Sequence, residues 1–240
     1  AFLFYANSLP NQYAVDDYDV ILRSESVMGG ARYIPNILRN DMRAGKPPTA
    51  EDENLFGGGR YRPLSIVTFA LEKSLWPGDD TYRLSHFINV LLYALTVALA
   101  FWWLRRYMFP AWPDLCFVAV LLFAIHPIHT EVVANIKSRD EIMSLLFIVL
   151  TFIGLGQAAN AAPGARLWPT IGGCVAYFLA LLSRESGITL LALIPLTLYF
   201  QKGLPLPAIV RRSAPYFAVA AAYLALRFAI IGLGSKIQWQ

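Results

Sequence analysis

Long apolar blocks separated by short polar stretches dominate the chain. The clearest block covers residues 87–104, is interrupted only by Asn89 and Thr96, and is closed by Arg105 and Arg106. Because a membrane-spanning helix needs about 20 consecutive apolar residues, such blocks predict transmembrane helices. Further blocks cover residues 115–125, 142–156, 167–182, 188–200 and 216–233. We therefore predict an all-α polytopic membrane protein with five to seven helices, and residues 1–6 as the end of a further, truncated span.

The longest polar stretch, residues 7–84, is predicted to be a loop on one side of the membrane, and residues 85–234 a transmembrane helix bundle. Within the loop, Leu64, Val67, Leu71 and Leu75 recur at helical spacing. This spacing predicts an amphipathic helix over about residues 62–76 that lies in the membrane interface. A helix packed on the bundle is the alternative. The run at residues 57–59 is predicted to be a flexible glycine turn.

Composition agrees with a membrane protein, since 57% of residues are hydrophobic, 15% are charged and the mean hydropathy is +0.48. We suppose that residues 7–83 form an outer loop and that the spans alternate in direction after it. The side of the membrane opposite this loop then contains most of the basic residues after residue 83 but only one acid, Asp114. The positive-inside rule makes this basic side cytoplasmic. Its basic residues are Arg105, Arg106, Arg166, Lys202, Arg211 and Arg212. Nucleic-acid binding is not expected, because no basic stripe with interleaved aromatic residues remains.

Polar clusters recur at the opposite, outer or lumenal face. They are Asp16-Asp17, Arg62, the run from His126 to Glu131 with Ser138-Arg139-Asp140-Glu141, and Ser183-Arg184-Glu185, joined by His86 and Asn89 at the start of a span. Ionisable residues are expensive to place in a membrane, so a cluster of them is a functional-site hypothesis.

Each cluster also has a structural interpretation. Asp16-Asp17 would be a solvated turn, Ser138 and Glu141 a capping box that starts a helix, and Arg184-Glu185 an ion pair at a span end. His126, His129 and Glu131 suggest a metal site, but Pro127 interrupts the helix that would align them, so hydrogen bonding at a helix break is favoured. No cofactor is expected, and a divalent metal is possible but not favoured. Cys116 and Cys174 are interpreted as small core residues.

Together, a carboxylate, several arginines and a hydrophobic bundle suit a lipid-linked sugar phosphate as substrate. The arginines would hold the departing phosphate, and the carboxylate would deprotonate an incoming hydroxyl that attacks the anomeric carbon from the opposite face. A transporter or flippase of an anionic lipid is the main alternative, because intramembrane ionisable residues serve either role. A membrane anchor without catalytic activity is a third interpretation, which leaves the clustered histidines unexplained.

The order of motifs over residues 5–200 resembles the transmembrane and tetratricopeptide-repeat O-mannosyltransferases and their bacterial relatives. The motifs are Tyr5-Ala6-Asn7-Ser8-Leu9, Asp16-Asp17, Asn40-Asp41, Tyr61-Arg62-Pro63-Leu64, His86 with Asn89, His126-Pro127-Ile128-His129-Thr130-Glu131, Arg139 and Arg184-Glu185-Ser186-Gly187. The resemblance implies a GT-C type glycosyltransferase that takes a sugar, mannose or a related one, from a polyprenyl-phosphate donor to a protein or peptide hydroxyl outside the cytoplasm.

By this resemblance the catalytic base is Asp16 or Asp17, and we favour Asp16. The implied donor-phosphate and substrate-binding residues are Arg62, His126, His129, Glu131, Arg139, Arg184 and Glu185, with Asp41 and His86 as further residues lining the site. A bacterial inner membrane with a periplasmic site is the expected location, or the endoplasmic reticulum membrane in a eukaryote. The tetratricopeptide repeats of the family are expected after residue 240, outside this chain.

Overall fold

The protein was analysed as a computed structural model that describes residues 1–42, 60–78 and 80–232. The predicted glycine turn at residues 57–59 lies outside these ranges. Within them every regular element is helical and no strand occurs. The α-helices are α1 (Phe2–Tyr5), α2 (Val15–Asp17), α3 (Glu25–Met28), α4 (Ile34–Arg39), α5 (Pro63–Leu75), α6 (Thr81–Trp103), α7 (Pro113–Ile125), α8 (His129–Ala134), α9 (Arg139–Asn160), α10 (Leu167–Ser183), α11 (Leu190–Lys202) and α12 (Leu206–Ile231).

Short 3₁₀ and π turns extend or join these helices. The 3₁₀ turns are Ala6–Ser8, Gly30–Tyr33, Ile136–Ser138, Pro163–Ala165 and Glu185–Thr189, and the π turns are Tyr18–Leu22 and Leu104–Met108. Some of them continue a long helix in the same direction. The turn Leu104–Met108, for example, brings the α6 segment to 28 residues.

Four helical segments are long and apolar enough to cross a membrane: Thr81–Met108, Ile136–Asn160, Pro163–Ser183 and Leu206–Ile231. They confirm the predicted all-α polytopic bundle. The predicted blocks at residues 115–125 and 188–200 form the shorter apolar helices Pro113–Ile125 and Glu185–Phe200. At about 1.5 Å per residue, the 13 residues of α7 reach about 20 Å, less than the roughly 30 Å of hydrocarbon. Helix α7 therefore covers only part of the crossing that returns the chain to the end where α6 begins and where Asn89 contacts Arg139.

The last block extends further towards the N-terminus than its apolar residues indicate. Helix α12 begins at Leu206 and therefore includes Arg211 and Arg212 in its first turns, whereas the apolar block begins at Tyr216. Long basic side chains near a helix end are compatible with a membrane span because their charged heads reach towards the interface.

Helix α9 is the centre of the bundle. Within its apolar window 67% of the residues are buried, against 17–28% for the other three candidate spans. It packs against α6 on one side and α10 on the other. At the α9–α10 contact, Gly154 approaches Gly173 and the Pro169 carbonyl so closely that a Cβ on Gly154 would lie 2.8 Å from the Gly173 backbone. Small residues at such crossings let two membrane helices approach to backbone contact.

Helix α5 matches the predicted amphipathic helix at residues 62–76, but its buried face is not the apolar stripe. Leu71 and Leu75 are exposed, with relative exposures of 41% and 79%, whereas Phe69 and Glu72 are buried against the bundle. The helix therefore packs on the bundle through one face and presents its leucines outward. An outward apolar stripe is stable where the surroundings are lipid.

Candidate active site

The predicted site residues lie at one end of the bundle because of the helix directions. Arg139 begins α9, Arg184 immediately follows α10, Arg62 immediately precedes α5, and His86 lies in the second turn of α6. Helices α9 and α10 are antiparallel neighbours, so the start of one meets the end of the other. Residues that are far apart in sequence therefore come together as three groups rather than one continuous cluster.

The first group contains the adjacent acids, which have opposite surroundings. Asp17 is fully buried, and its two carboxylate oxygens accept the backbone N–H of Ala14 at 2.8 Å and of Lys137 at 2.7 Å. Asp16 keeps 56% of its side-chain surface exposed and accepts a bond from Lys137 Nζ at 2.6 Å. Asp17 thus fixes the loop to the turn that precedes α9, and Asp16 presents a carboxylate to the surroundings.

The second group is an ion-pair network around Arg62. Its Nε and Nη2 donate to the two oxygens of Glu185 at 2.8 and 2.7 Å, and its Nη1 donates to Asp140 at 2.6 Å. Arg184 Nη1 lies 2.7 Å from Glu141 and 3.6 Å from Asp140. Two cations and three carboxylates therefore connect the start of α5, the start of α9 and the end of α10.

This network shifts the pKa of Arg62 and that of Glu185 towards their charged forms. Burial alone would lower the pKa of Arg62, but its hydrogen bonds to Glu185 and the charge of Asp140 raise that pKa above its ordinary value. Burial alone would raise the pKa of Glu185, but the bonds from Arg62 lower it below 4.5. The pair is therefore ionised at neutral pH. Arg184 is the more accessible arginine, with 29% of its side chain exposed against 9% for Arg62.

The third group surrounds Arg139, whose side chain is completely buried. Its guanidinium lies 4.3 Å from the ring centre of Phe69. All five of its N–H groups donate: Nε to Asn89 Oδ1 at 2.7 Å, Nη1 to Thr68 Oγ1 at 3.0 Å and to Glu72, and Nη2 to Glu72 at 3.3 Å and to the Ser85 carbonyl at 3.0 Å. A guanidinium has five donors, so none remains for a phosphate in this conformation. The structure gives Arg139 a structural position instead of the phosphate contact we expected.

His86 is buried beside this group. It is fully inaccessible, and its ring lies close to the backbone of Asn11 and Gln12. The residue one turn further along α6 is Asn89, which bonds Arg139 and the carbonyls of Asn135 and Ile136 at 3.2 and 3.3 Å. His86 is therefore enclosed in the bundle, close to Asn89, Arg139 and the buried Asp17.

The histidine run occupies the break between α7 and α8, as Pro127 predicts. His126 is exposed, and its Nδ1 accepts the Ile128 N–H at 3.3 Å. The ring centres of His129 and Phe123 lie 4.4 Å apart. Burial, and to a smaller extent the charge of His126, lowers the pKa of His129 below 6.5. Glu131 is exposed on α8. No ion pair joins this run to the arginines within the described part of the chain.

Asp41 follows α4 and is half-buried, and its place in the site stays a prediction. The starting turn of α9 differs in detail from a capping box, because the Ser138 side chain makes no capping bond and Asp140 Oδ1 accepts the Glu141 N–H at 2.8 Å. Across residues 1–42, 60–78 and 80–232, no three His, Cys, Asp or Glu side chains converge in a way that would hold a metal ion.

Sequence reasoning missed two residues of the site. Lys137 pairs with Asp16, and Glu72 is the buried counter-ion of Arg139. Glu72 lies three residues after Phe69 and outside the apolar stripe of α5, and nothing in the sequence distinguishes it from a solvent-exposed glutamate. The adjacency of Lys137 to Ser138-Arg139-Asp140-Glu141 was the available signal for the lysine.

Comparison with known proteins finds relatives that are named protein O-mannosyl-transferase. No protein-family model and no solved structure matches the chain. The chain is 29% identical over 199 residues to human protein O-mannosyl-transferase TMTC1. The aligned part covers 78% of this chain and 21% of that protein. The chain is 32% identical over 193 residues to Drosophila melanogaster protein O-mannosyl-transferase Tmtc1, and the aligned part covers 80% of this chain and 21% of that protein. Human protein O-mannosyl-transferase TMTC4 is 26% identical to the chain over 213 residues, and the aligned part covers 80% of this chain and 27% of that protein.

The chain thus spans about a fifth to a quarter of the length of these relatives. The similarity to these relatives and the four long apolar helices both agree with an integral membrane protein. Over about four fifths of its length, the chain is homologous to the protein O-mannosyl-transferases of the transmembrane and tetratricopeptide-repeat family that its motifs resemble.

Proposed function

We propose that the chain forms the membrane-embedded catalytic part of a protein O-glycosyltransferase that moves mannose from a polyprenyl-phosphate donor to a Ser or Thr hydroxyl, with inversion. Relatives named protein O-mannosyl-transferase support the reaction class. The observation that carries the proposal is the turn that starts α9. Within the five residues 137–141, it holds Lys137 against the exposed Asp16 and Glu141 against the partly exposed Arg184.

Asp16 is the proposed general base. Its carboxylate has most of its side-chain surface open, whereas both oxygens of Asp17 are occupied by backbone N–H groups. A base must come within hydrogen-bond reach of the proton it removes, which requires an accessible oxygen. In the structure the bond from Lys137 Nζ holds the Asp16 carboxylate beside the start of α9, and the lysine leaves this carboxylate when it binds the donor phosphate.

Lys137 and Arg184 are the proposed contacts of the donor phosphate. Lys137 and Glu141, the partner of Arg184, are four residues apart, which is about one helical turn or roughly 6 Å. A phosphate between them would also lie at the N-terminus of α9, where the helix dipole favours negative charge. Both cations can exchange a carboxylate for phosphate oxygens, because 24% of the Lys137 side chain and 29% of the Arg184 side chain are exposed.

The proposed step balances without a covalent enzyme intermediate. The acceptor hydroxyl gives its proton to Asp16 while its oxygen forms a bond to the anomeric carbon of the sugar. The bond from that carbon to the phosphate oxygen breaks on the opposite face, and its electron pair leaves with the polyprenyl phosphate. Lys137 and Arg184 stabilise the charge that develops there. The donor lipid, the protein acceptor, the outer or lumenal position of the site and the absence of a cofactor remain predictions.

The test is an in vitro transfer assay with the intact protein, a polyprenyl-phosphate mannose and a Ser/Thr peptide. Asp16→Asn is expected to lower turnover by about 10²–10⁴-fold, the usual contribution of a general base. Asp19→Asn is the matched control, because Asp19 is an exposed acid three residues away that pairs with Arg23 at 2.8 Å. Equal losses in both variants would contradict the assignment. Movement of the lipid without peptide glycosylation would instead support the transporter.

A further inference from the structure

A cavity with a partly basic wall lies at the opposite end of the bundle from the proposed active site. Its volume is about 160 Å³, and its wall includes Leu155 and Ala159 near the end of α9 and Thr170 near the start of α10. The start of α9, which carries Asp140, is about 18 residues from this wall. At about 1.5 Å per residue the two ends are separated by roughly 27 Å, close to the thickness of a bilayer's hydrocarbon core.

Three arginines line this cavity: Arg166, Arg211 and Arg212. Among the described residues, no carboxylate forms an ion pair with any of them. Arg166 precedes the first residue of α10, where the helix dipole disfavours a cation. The three positive charges therefore repel one another around one cavity without a described counter-ion.

Two polar groups in the wall are buried without a partner. The Nε and Nη1 atoms of Arg212 are shielded from solvent and have no hydrogen-bond partner among the described residues. The side chain of Tyr216 is only 1% exposed, and its hydroxyl is likewise unpartnered. Leaving a buried cation and a buried hydroxyl unsatisfied is costly, so the geometry calls for an acceptor that carries negative charge.

We propose that this cavity binds the phosphate group of an anionic phospholipid. A phosphate supplies several acceptor oxygens for guanidinium groups, and arginine matches it in a bidentate manner. The cavity is smaller than the roughly 300–1,000 Å³ of sites that enclose whole drug-sized ligands, so it accommodates a headgroup phosphate alone. Leu198 and Pro215 continue the wall as an apolar surface for the first part of the acyl chains. By the positive-inside rule this end faces the cytoplasm, whose leaflet is rich in anionic lipids.

The test measures the melting temperature of the intact protein in a neutral detergent as three probes are added separately. These are dioctanoyl phosphatidylglycerol, dioctanoyl phosphatidylcholine and inorganic phosphate. Phosphatidylglycerol is expected to raise the melting temperature in a saturable manner, and phosphatidylcholine to have a much weaker effect. If inorganic phosphate is as effective as the anionic lipid, the phosphate site serves a soluble ligand. If inorganic phosphate leaves the melting temperature unchanged while the anionic lipid raises it, the site takes its phosphate from a lipid, as proposed.

The variants Arg211→Gln and Arg212→Gln are expected to weaken the apparent affinity for the effective probe by about tenfold each, as for the loss of a charged hydrogen bond. Arg211 is exposed, so its replacement does not threaten folding. Arg105→Gln is the matched control, because Arg105 is an exposed arginine near the end of the α6 segment, outside the cavity wall. Unchanged affinity in both cavity variants, or an equal loss in Arg105→Gln, would overturn the proposal.

Discussion

At the scale of single residues, adjacency in sequence does not give Asp16 and Asp17 the same role. Asp17 is turned inward, where it accepts two backbone N–H groups, and Asp16 is turned outward towards Lys137. The buried acid orders the loop and the turn before α9, and this order places the exposed acid. One carboxylate therefore positions the other.

Replacing Asp17 by Asn is expected to destabilise the fold by about 1–3 kcal/mol, because an amide NH₂ would face one of the two backbone donors and leave it unsatisfied. Thermal unfolding in detergent measures the loss. Activity per folded molecule should change less than in Asp16→Asn. A fully stable Asp17→Asn protein with no transfer activity would assign the base to Asp17 instead.

Arg139 is the other residue whose position determines stability. Arg139→Met leaves Glu72 as a buried carboxylate without its counter-ion, and breaking a buried pair in this way costs about 3–5 kcal/mol. Arg184→Met removes a partly exposed cation and should cost much less. Denaturation midpoints of the two variants check the ranking, and equal losses would contradict the structural position of Arg139.

The contacts of these residues could be predicted from sequence only in part. The clusters around Asp16, Arg62, Arg139 and Arg184 follow from charged residues next to span ends, and the chain order of the spans gives their common end. Glu72 could not be found in this way. In a membrane protein an apolar stripe can face lipid, so helical periodicity identifies the two faces of α5 but not which of them is inside.

At the scale of elements, α9 connects the two ends of the bundle. Its first turn carries the ion pairs of the proposed site, and its last turns line the basic cavity. Its start was predictable from the capping-box spacing of Ser138 and Glu141, but its 22 residues exceed the predicted apolar block at residues 142–156. Helices α7 and α11, which coincide with two further predicted blocks, have 13 residues each. Composition alone does not give the number of helical residues on either side of an apolar block.

The α9–α10 contact gives a prediction for two glycines. Gly154→Ala would place a Cβ 2.8 Å from the Gly173 backbone and 2.9 Å from the Pro169 carbonyl, so the helices must separate. A loss of about 1–3 kcal/mol is expected, as for overpacking in a core. Gly172→Ala is the control, because its Cβ would meet nothing within 4 Å. Thermal unfolding should separate the two variants, and an equally stable Gly154→Ala protein would contradict the close approach.

At the scale of the whole molecule, Arg62 bonds Glu185, which lies 123 positions later in the sequence. This pair fastens the polar N-terminal region onto the end of α10. One end of the bundle is therefore rich in ion pairs, whereas at the other end three arginines line a cavity without a carboxylate partner among the described residues. The four apolar helices separate the two ends.

The Arg62–Glu185 pair predicts a pH dependence with a defined sign. Because the pKa of Glu185 is lowered below 4.5 in the folded state, its stabilising contribution is fully present above pH 4.5 and is lost as pH falls through the folded value. Melting temperatures of the wild type and Glu185→Gln should differ most near neutral pH and converge in acid. A difference that grows as pH falls would contradict the ion pair.

The central claim is that Asp16 acts on the acceptor while Arg184 holds the donor. The most direct test measures donor affinity and turnover together in Asp16→Asn and Arg184→Gln, using polyprenyl-phosphate mannose and a Ser/Thr peptide. The account predicts that Asp16→Asn binds the donor as the wild type does but loses turnover by about 10²-fold or more, whereas Arg184→Gln binds the donor about tenfold more weakly. Normal turnover in Asp16→Asn, or unchanged donor affinity in Arg184→Gln, would contradict it.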